Sequence, residues 1–439
     1  MLGVLANRTY RHLLLAQAVS LVGTGLATVA LGLLAFDLAG DRAGAVLGTA
    51  LAIKMIAYVG VAPVAAAFAE RLPRRTMLVA LDLVRAAVAL ALPFVTEVWQ
   101  VYLLIFLLQS ASAGFTPTFQ ATIPDVLPDE RDYTNALSLS RLGYDLESLI
   151  SPMLAAALLT VISFHSLFAG TVVGFLLSGS LVLSVRLPSP KPATPRGIWD
   201  RTARGIRLYL ATPRLRGLLA LNVAVAAAGA MVIVNTVVLV KSAFGLGDAD
   251  VAFALAAFGA GSMVAALALP RLLERVQDRR AMLAGAGILA TGMLVGPIAS
   301  DLASLTPLWF LIGLGYSLTQ TPTGRLLRRS AHTEDRPALF AAQFALSHAC
   351  WLVTYPLAGR LGTTVGLEVT FLVMAVLSAV AVLVASRLWP AADPDVVPHV
   401  HTDLEAGDAH VSATPLDETG RHAHPFVIDD QHPIWPRPA

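Results

Sequence analysis

Residues 70–78 read Glu70-Arg71-Leu72-Pro73-Arg74-Arg75-Thr76-Met77-Leu78, and residues 274–283 read Glu274-Arg275-Val276-Gln277-Asp278-Arg279-Arg280-Ala281-Met282-Leu283. Each holds an acid and a base, then two adjacent arginines, then Met-Leu. The offset is 204, becoming 205 after one inserted residue. Three further matches keep that spacing. Tyr10-Arg11-His12-Leu13-Leu14 returns as Leu215-Arg216-Gly217-Leu218-Leu219, Thr116-Pro117-Thr118 as Thr321-Pro322-Thr323, and Glu130-Arg131 as Asp335-Arg336. Matches in order at one offset read as an internal duplication.

What is duplicated follows from composition. The 439 residues are 56% hydrophobic and 14% charged, too few charges to cover soluble domains of that size. A hydrocarbon core of about 30 Å needs roughly 20 apolar residues as a helix. Twelve such runs occur, at about 13–36, 45–66, 76–95, 99–119, 139–162, 164–186, 215–240, 250–270, 281–299, 304–323, 338–360 and 365–387. None alternates with period two, which disfavours a β-barrel. The spacing therefore predicts an all-α membrane protein of twelve transmembrane helices, arranged as two six-helix halves in the same orientation. The halves are residues 1–186 and 215–388. A linker, 187–214, opens on Pro188, Pro190, Pro192 and Pro195 and continues as a basic amphipathic segment expected on the inner leaflet surface. Residues 389–439 form a His-rich tail expected to be unstructured.

Lys and Arg fix the expected orientation. With the N-terminus inside, 26 fall on the inner side, three outside (Arg42, Lys241, Arg360) and two within spans (Lys54, Arg85). That asymmetry puts both ends in the cytoplasm. A net charge of +2 gives no case for nucleic acid, and one cysteine, Cys350, excludes a disulfide framework and iron–sulfur or zinc-ribbon sites within the chain. No Gly-x4-Gly-Lys-Ser/Thr phosphate loop is present, so ATP is not the expected energy source. No catalytic residues are assigned, and no enzyme is expected.

The segment Ala69-Glu70-Arg71-Leu72-Pro73-Arg74-Arg75 resembles the loop signature of the major facilitator superfamily, with Glu70 standing for its acid, Arg71 for the first base and Arg74-Arg75 for the closing pair. Pro73 replaces the family glycine and Ala66 the earlier one. The charge pattern is echoed at Glu274, Arg275, Arg279 and Arg280. Asp82 and Arg85, Asn135-Ala136-Leu137 and the stretch from Gly205 to Leu219 resemble the bacterial drug–proton antiporter branch. The resemblance implies the major facilitator fold, a site between the halves near mid-bilayer, and export of a small amphiphilic compound across a bacterial inner membrane. It also implies the proton gradient as energy source, no cofactor, and a monomer. Alternatives are efflux of a divalent metal, chiefly nickel or cobalt, and a membrane sensor that keeps the fold without moving solute.

Ionisable groups within spans are costly and point to function. Asp82 and Arg85, spaced i, i+3, can pair on one face. In the fifth run Ser140, Tyr144, Glu147, Ser148 and Ser151 form a polar stripe. Asp145 lies four residues after Arg141, a spacing that suits a pair. Glu147 has no base at helical spacing, so it needs a partner from another helix or is protonated part of the time; it is the first candidate for proton coupling and Asp145 the second. Lys54 and His348 lie mid-span. Asn222, Asn235, Tyr316 and Gln320 are pathway candidates because the resemblance makes their helices line the route. Glu70 and the arginine pair are expected to latch the halves.

Six of the ten histidines, His399, His401, His410, His422, His424 and His432, fall in the last fifty residues. Imidazole beside carboxylate suits nickel, zinc, cobalt or copper. In composition the tail resembles those of bacterial nickel-resistance exporters.

Overall fold

The computed structural model describes residues 2–39, 43–69, 72–188, 198–394, 396–399, 421–432 and 434–436. Six helices build the first half: α1 (Arg8–Ala39), α2 (Ala43–Ala69), α3 (Arg74–Ala91), α4 (Val98–Val126), α5 (Glu130–Leu159) and α6 (Phe164–Leu183). The short α7 (Ile198–Ala211) follows. The second half comprises α8 (Pro213–Val237), α9 (Asp248–Leu273), α10 (Asp278–Val295), α11 (Leu302–Gln320), the short α12 (Thr323–Arg329), α13 (Arg336–Thr364) and α14 (Leu367–Leu388). Two strands, β1 (Val396–His399) and β2 (His422–Pro425), close the order.

Among the described residues, ten helical segments are long and apolar enough to cross a membrane. Lys54 lies in α2 and the Tyr144–Glu147 stripe in α5. Large apolar side chains such as Leu90, Phe106, Val376 and Leu383 face outward, as a lipid-facing surface requires. Each half has its own apolar cores: around Phe168 and Phe175, and around Tyr10 and Phe119, in the first; around Leu218 and Leu339, and around Trp309 and Phe371, in the second. A smaller cluster, Ala62, Ala113, Ala341, Phe344 and Ala345, joins the halves. Small residues here let α2 and α4 approach α13.

Two segments depart from the sequence expectation. The amphipathic linker does not simply lie on a leaflet surface. In α7, Arg204, Leu208 and Tyr209 are buried, the Tyr209 hydroxyl donates to Gln343 Oε1 at 2.5 Å, and a Cβ on Gly205 would collide with the Ala338 backbone. Its apolar stripe found protein on α13 and α8 rather than lipid. The described part of the tail is folded. β1 and β2 pair antiparallel, with His399 opposite His422 and Val397 opposite His424. Phe426 and Ile428 then pack into the same core as Leu215 and Trp389. A few apolar residues among many polar ones suffice because the second half supplies the surface they bury against.

Candidate functional site

A cavity of about 390 Å³ lies within the first half, within the size range of small-molecule pockets. All six helices of that half contribute to its wall. Lys54 of α2 and Glu147 of α5 both face it, as do Gln17, Tyr58, Gln109 and Tyr144. Lys54 and Glu147 thus share one compartment. Glu147 lies against Gly25 of α1, where a Cβ would meet both Ser151 and the Glu147 carboxylate. The Tyr58 hydroxyl donates to Gln109 Oε1 at 2.8 Å, and the Ser140 hydroxyl to Gln17 Oε1 at 3.0 Å. The Lys54 ammonium sits 5.5 Å from the Tyr58 ring centre, a distance at which the ring face attracts a cation. Gln17, Tyr58 and Gln109 were not singled out from the sequence, though a lone amide or phenol within an apolar span is the signal that could have found them.

Asp82 and Arg85 form a buried ion pair. The Ser178 hydroxyl donates to Asp82 at 2.9 Å, and the Arg85 guanidinium lies between the rings of Phe115, at 3.9 Å, and Phe175, at 4.5 Å. This pair ties α3 to α6, and Arg85 also borders the cavity. Arg141 reaches across the seam: its Nε donates to Ser262 at 3.1 Å and its guanidinium stacks 4.7 Å from the Tyr316 ring centre. The side chain of Asp145 lies outside the described residues.

The candidates of the second half do not meet in the cavity. His348 packs edge-on against Tyr58 at 4.8 Å, and its Nδ1–H donates to the Phe344 carbonyl at 2.7 Å. It sits in the seam between halves. The Asn235 amide donates to the Ala358 carbonyl at 3.3 Å, joining α8 to α13. Asn222 is buried in α8, and Gln320 is half-buried at the end of α11.

One face of the molecule carries the basic segments and ties the halves together through ion pairs. Asp125, at the end of α4, accepts from Arg74 of its own half and Arg336 of the other. Arg325 pairs with Glu130 at 2.6 Å across the seam and with Asp278 at 3.0 Å within its half. An exposed pair, Arg131 with Glu274 at 3.3 Å, also crosses. Of the loop signature, Glu70 and Arg71 lie outside the described residues. Arg74 serves Asp125, and Arg75 donates to the Leu183 carbonyl. In the repeat, Arg279 donates to the Trp389 and Ser386 carbonyls at 2.9 and 3.0 Å, holding the end of α14, while Arg275 and Arg280 are exposed. Asp125 and Asp278, the acids that organise this face, escaped the sequence reading; their signal was an acid at a span end amid many arginines.

The tail docks on the same face. Arg204 of α7 binds Asp335 through two bonds of 2.5 and 2.7 Å and Asp430 at 2.9 Å. Against the cost of burial, these acids hold the Arg204 guanidinium above its ordinary range. Burial raises Asp429, but hydrogen bonds from His332 and His432 outweigh it and hold that carboxyl well below the usual range. Four tail imidazoles, His399, His422, His424 and His432, offer ring nitrogens that all lie within 4.8 Å of one another. Burial, with three neighbouring imidazoles adding to it, pushes His399 down to about 4, so this ring is neutral at pH 7. His401 and His410 lie outside the described residues.

With this geometry in view, the comparisons with known proteins agree. The family profile described as Major Facilitator Superfamily matches residues 13–237 and again 218–426. Macrolide efflux protein A of Streptococcus pyogenes is 26% identical over 177 residues, 39% of this chain and 43% of that protein; the match thus spans less than half the length of that relative. The uncharacterized MFS-type transporter YfiS of Bacillus subtilis (strain 168) is 24% identical over 378 residues, 82% of this chain and 88% of its own. Among solved structures, the human organic anion transporter MFSD10 (TETRAN) superposes with a TM-score of 0.75 at 12% identity, covering 86% of this chain and 99% of that one. A bacterial homologue of the iron transporter ferroportin in its outward-facing state does so with 0.74 at 14%, covering 87% and 99%. The duplicated six-helix halves, the multi-pass apolar surface, the polar cavity and the double family match make this chain a member of the Major Facilitator Superfamily.

Proposed function

We propose that the protein exports small amphiphilic organic compounds, macrolides among them, by alternating access, and that an inward proton drives the cycle. The observation that carries this reading is the cavity itself. Its wall mixes apolar side chains with amides, hydroxyls, one lysine and one carboxylate, which suits a drug-sized amphiphile. Lys54 and Arg85 repel a divalent cation, and the described wall residues include no histidine or cysteine, so metal cargo is less favoured. The similarity to macrolide efflux protein A supports the organic class. The excess of arginine on one face supports a bacterial inner membrane with that face in the cytoplasm. Glu147 is the carboxylate that carries the proton, because it is the acid of the described wall and faces the cavity together with Lys54.

The test is macrolide accumulation in a drug-sensitive bacterial host, followed by flux in proteoliposomes under an imposed pH gradient. Expression should lower accumulation several-fold, and drug addition should move protons. Glu147→Gln should abolish drug-driven proton movement while drug binding persists. Unchanged accumulation across macrolides and a panel of other amphiphiles would overturn the export reading. An unaltered proton signal in Glu147→Gln would transfer the role to Asp145.

A further inference from the structure

The structure assigns a divalent transition-metal site to His399, His422, His424 and His432, built on the folded part of the tail and separate from the transport cavity. Backbone pairing brings the ligands together. His399 and His422 are directly opposed across the β1–β2 ladder, and His424 shares a face with His422 because strand side chains alternate. His432 returns through a turn in which Asp429 Oδ1 accepts from the Gln431 and His432 backbone N–H groups at 2.9 and 2.7 Å.

The hydrogen bonds around the rings determine which nitrogens converge. The Nδ1–H of His399 donates to the Val397 carbonyl, that of His424 to the Pro425 carbonyl, and that of His432 to the Asp429 carboxylate, each at 2.9 Å. These oxygens only accept, so each Nδ1 carries the proton and each neutral ring keeps its lone pair on Nε2. The Nε2 of His399 is 3.0 Å from that of His422 and 3.1 Å from that of His432. The Nε2 lone pairs of His399 and His432 facing at that distance repel, whereas a cation among the rings converts the repulsion into bonds. An ion holding nitrogens at about 2.0–2.1 Å in a tetrahedron separates them by about 3.3 Å, within the spread of this cluster. Four imidazole nitrogens suit Zn²⁺, Ni²⁺, Co²⁺ or Cu²⁺ and not Mg²⁺ or Ca²⁺. Phe426, edge-on to His399 and His432 at 4.9 Å, shields the cluster from water. A carboxylate behind a ligating imidazole, as Asp429 stands behind His432, is the usual support of such a site.

The site also has a mechanical consequence. Asp429 receives His332 of the second half at 3.3 Å, and Asp430 receives Arg204 of α7. A bound ion therefore staples the hairpin in the shape that grips the basic face.

The test uses the full-length protein in detergent, purified with a histidine-free tag, and Zn²⁺ titrated against a chromophoric chelator. One ion per chain is expected. His422→Ala and His432→Ala should each weaken binding at least tenfold, and Asp429→Asn about 10–100-fold. His401→Ala and His410→Ala should leave it within twofold. Zn²⁺ should slow amide exchange over 396–399 and 422–432. Three results would each overturn the assignment: no binding tighter than about millimolar, equal losses from all the histidine variants, or no loss from His422→Ala and His432→Ala. Drug accumulation tested on the same variants separates this site from the transport reading, since each can fail alone.

Discussion

The two halves carry the same ion pair with its charges exchanged. In the first, Arg74 opens α3 and meets Asp125 at the end of α4. In the second, Asp278 opens α10 and meets Arg325 and Arg329 on α12. Asp278 and Arg329 each lie one residue short of the 205 offset that aligns Arg74 with Arg279 and Asp125 with Ser330. Each half therefore places a pair at the start of its third helix, with opposite polarity. The exchange has a use at the seam. Asp125 has room to accept Arg336 of the second half, and Arg325 has a spare nitrogen for Glu130 of the first. Two halves of equal polarity would set like charges against each other there.

The pairs differ in dryness, and this ranks the ways to break them. Side-chain exposure is 2% and 6% for Arg74 and Asp125, against 4%, 14% and 23% for Asp278, Arg325 and Arg329. Asp125→Asn should have the largest effect, because it strips both Arg74 and Arg336. Breaking a buried pair costs about 3–5 kcal/mol, here taken from the state closed at the basic face. Cysteines placed at Ala62 and Ala345, in a Cys350→Ser background, should then label much faster; parental labelling rates would disprove the hub. Asp278→Asn should cost less, about 2 kcal/mol, since Arg325 keeps Glu130 and Arg329 keeps Asp393. A labelling change as large as for Asp125→Asn would erase the difference between halves.

Exchanging the first pair sharpens the comparison further. Arg74→Asp with Asp125→Arg gives the first half the polarity of the second, but sets a new guanidinium against Arg336. The double variant should keep a deficit of about 1 kcal/mol in thermal stability that Arg336→Asp then reduces. Full recovery without the third change would mean that Arg336 adds nothing. The smallest effect belongs to Arg131→Ala. Its pair with Glu274 is 78% and 50% exposed, and its loss should shift stability by about 0.5 kcal/mol or less. A melting shift of several degrees would show that this rim contact is more than solvated charge.

The site was partly legible in the sequence. Lys54 and Glu147 stood out because a charge inside an apolar run has few explanations. Gln17, Tyr58 and Gln109 did not, because an uncharged polar group in a span is cheap enough to be helix contact. Asn235 and His348, also singled out, donate hydrogen bonds to the Ala358 and Phe344 carbonyls. The Thr-Pro-Thr repeats show how context decides: α4 runs on through Pro117, whereas α11 stops at Gln320 and α12 starts at Thr323, either side of Pro322. A proline removes one hydrogen bond in either place, and neighbouring packing determines whether the helix resumes.

By itself the sequence determined the number of spans, the duplication and the side that gathers arginine, because each is a local or periodic property of the chain. Hydrophobic run length answers to membrane thickness, and the repeat offset is arithmetic. Only the tertiary structure decided which charges meet: Asp125 between two arginines 262 residues apart, Lys54 and Glu147 in one cavity, and four imidazoles drawn from residues 399 to 432. Electrostatic and coordinate bonds act over a few ångströms in space regardless of separation along the chain. Their partners are therefore chosen by how helices and strands pack, and no spacing within a single segment encodes that choice.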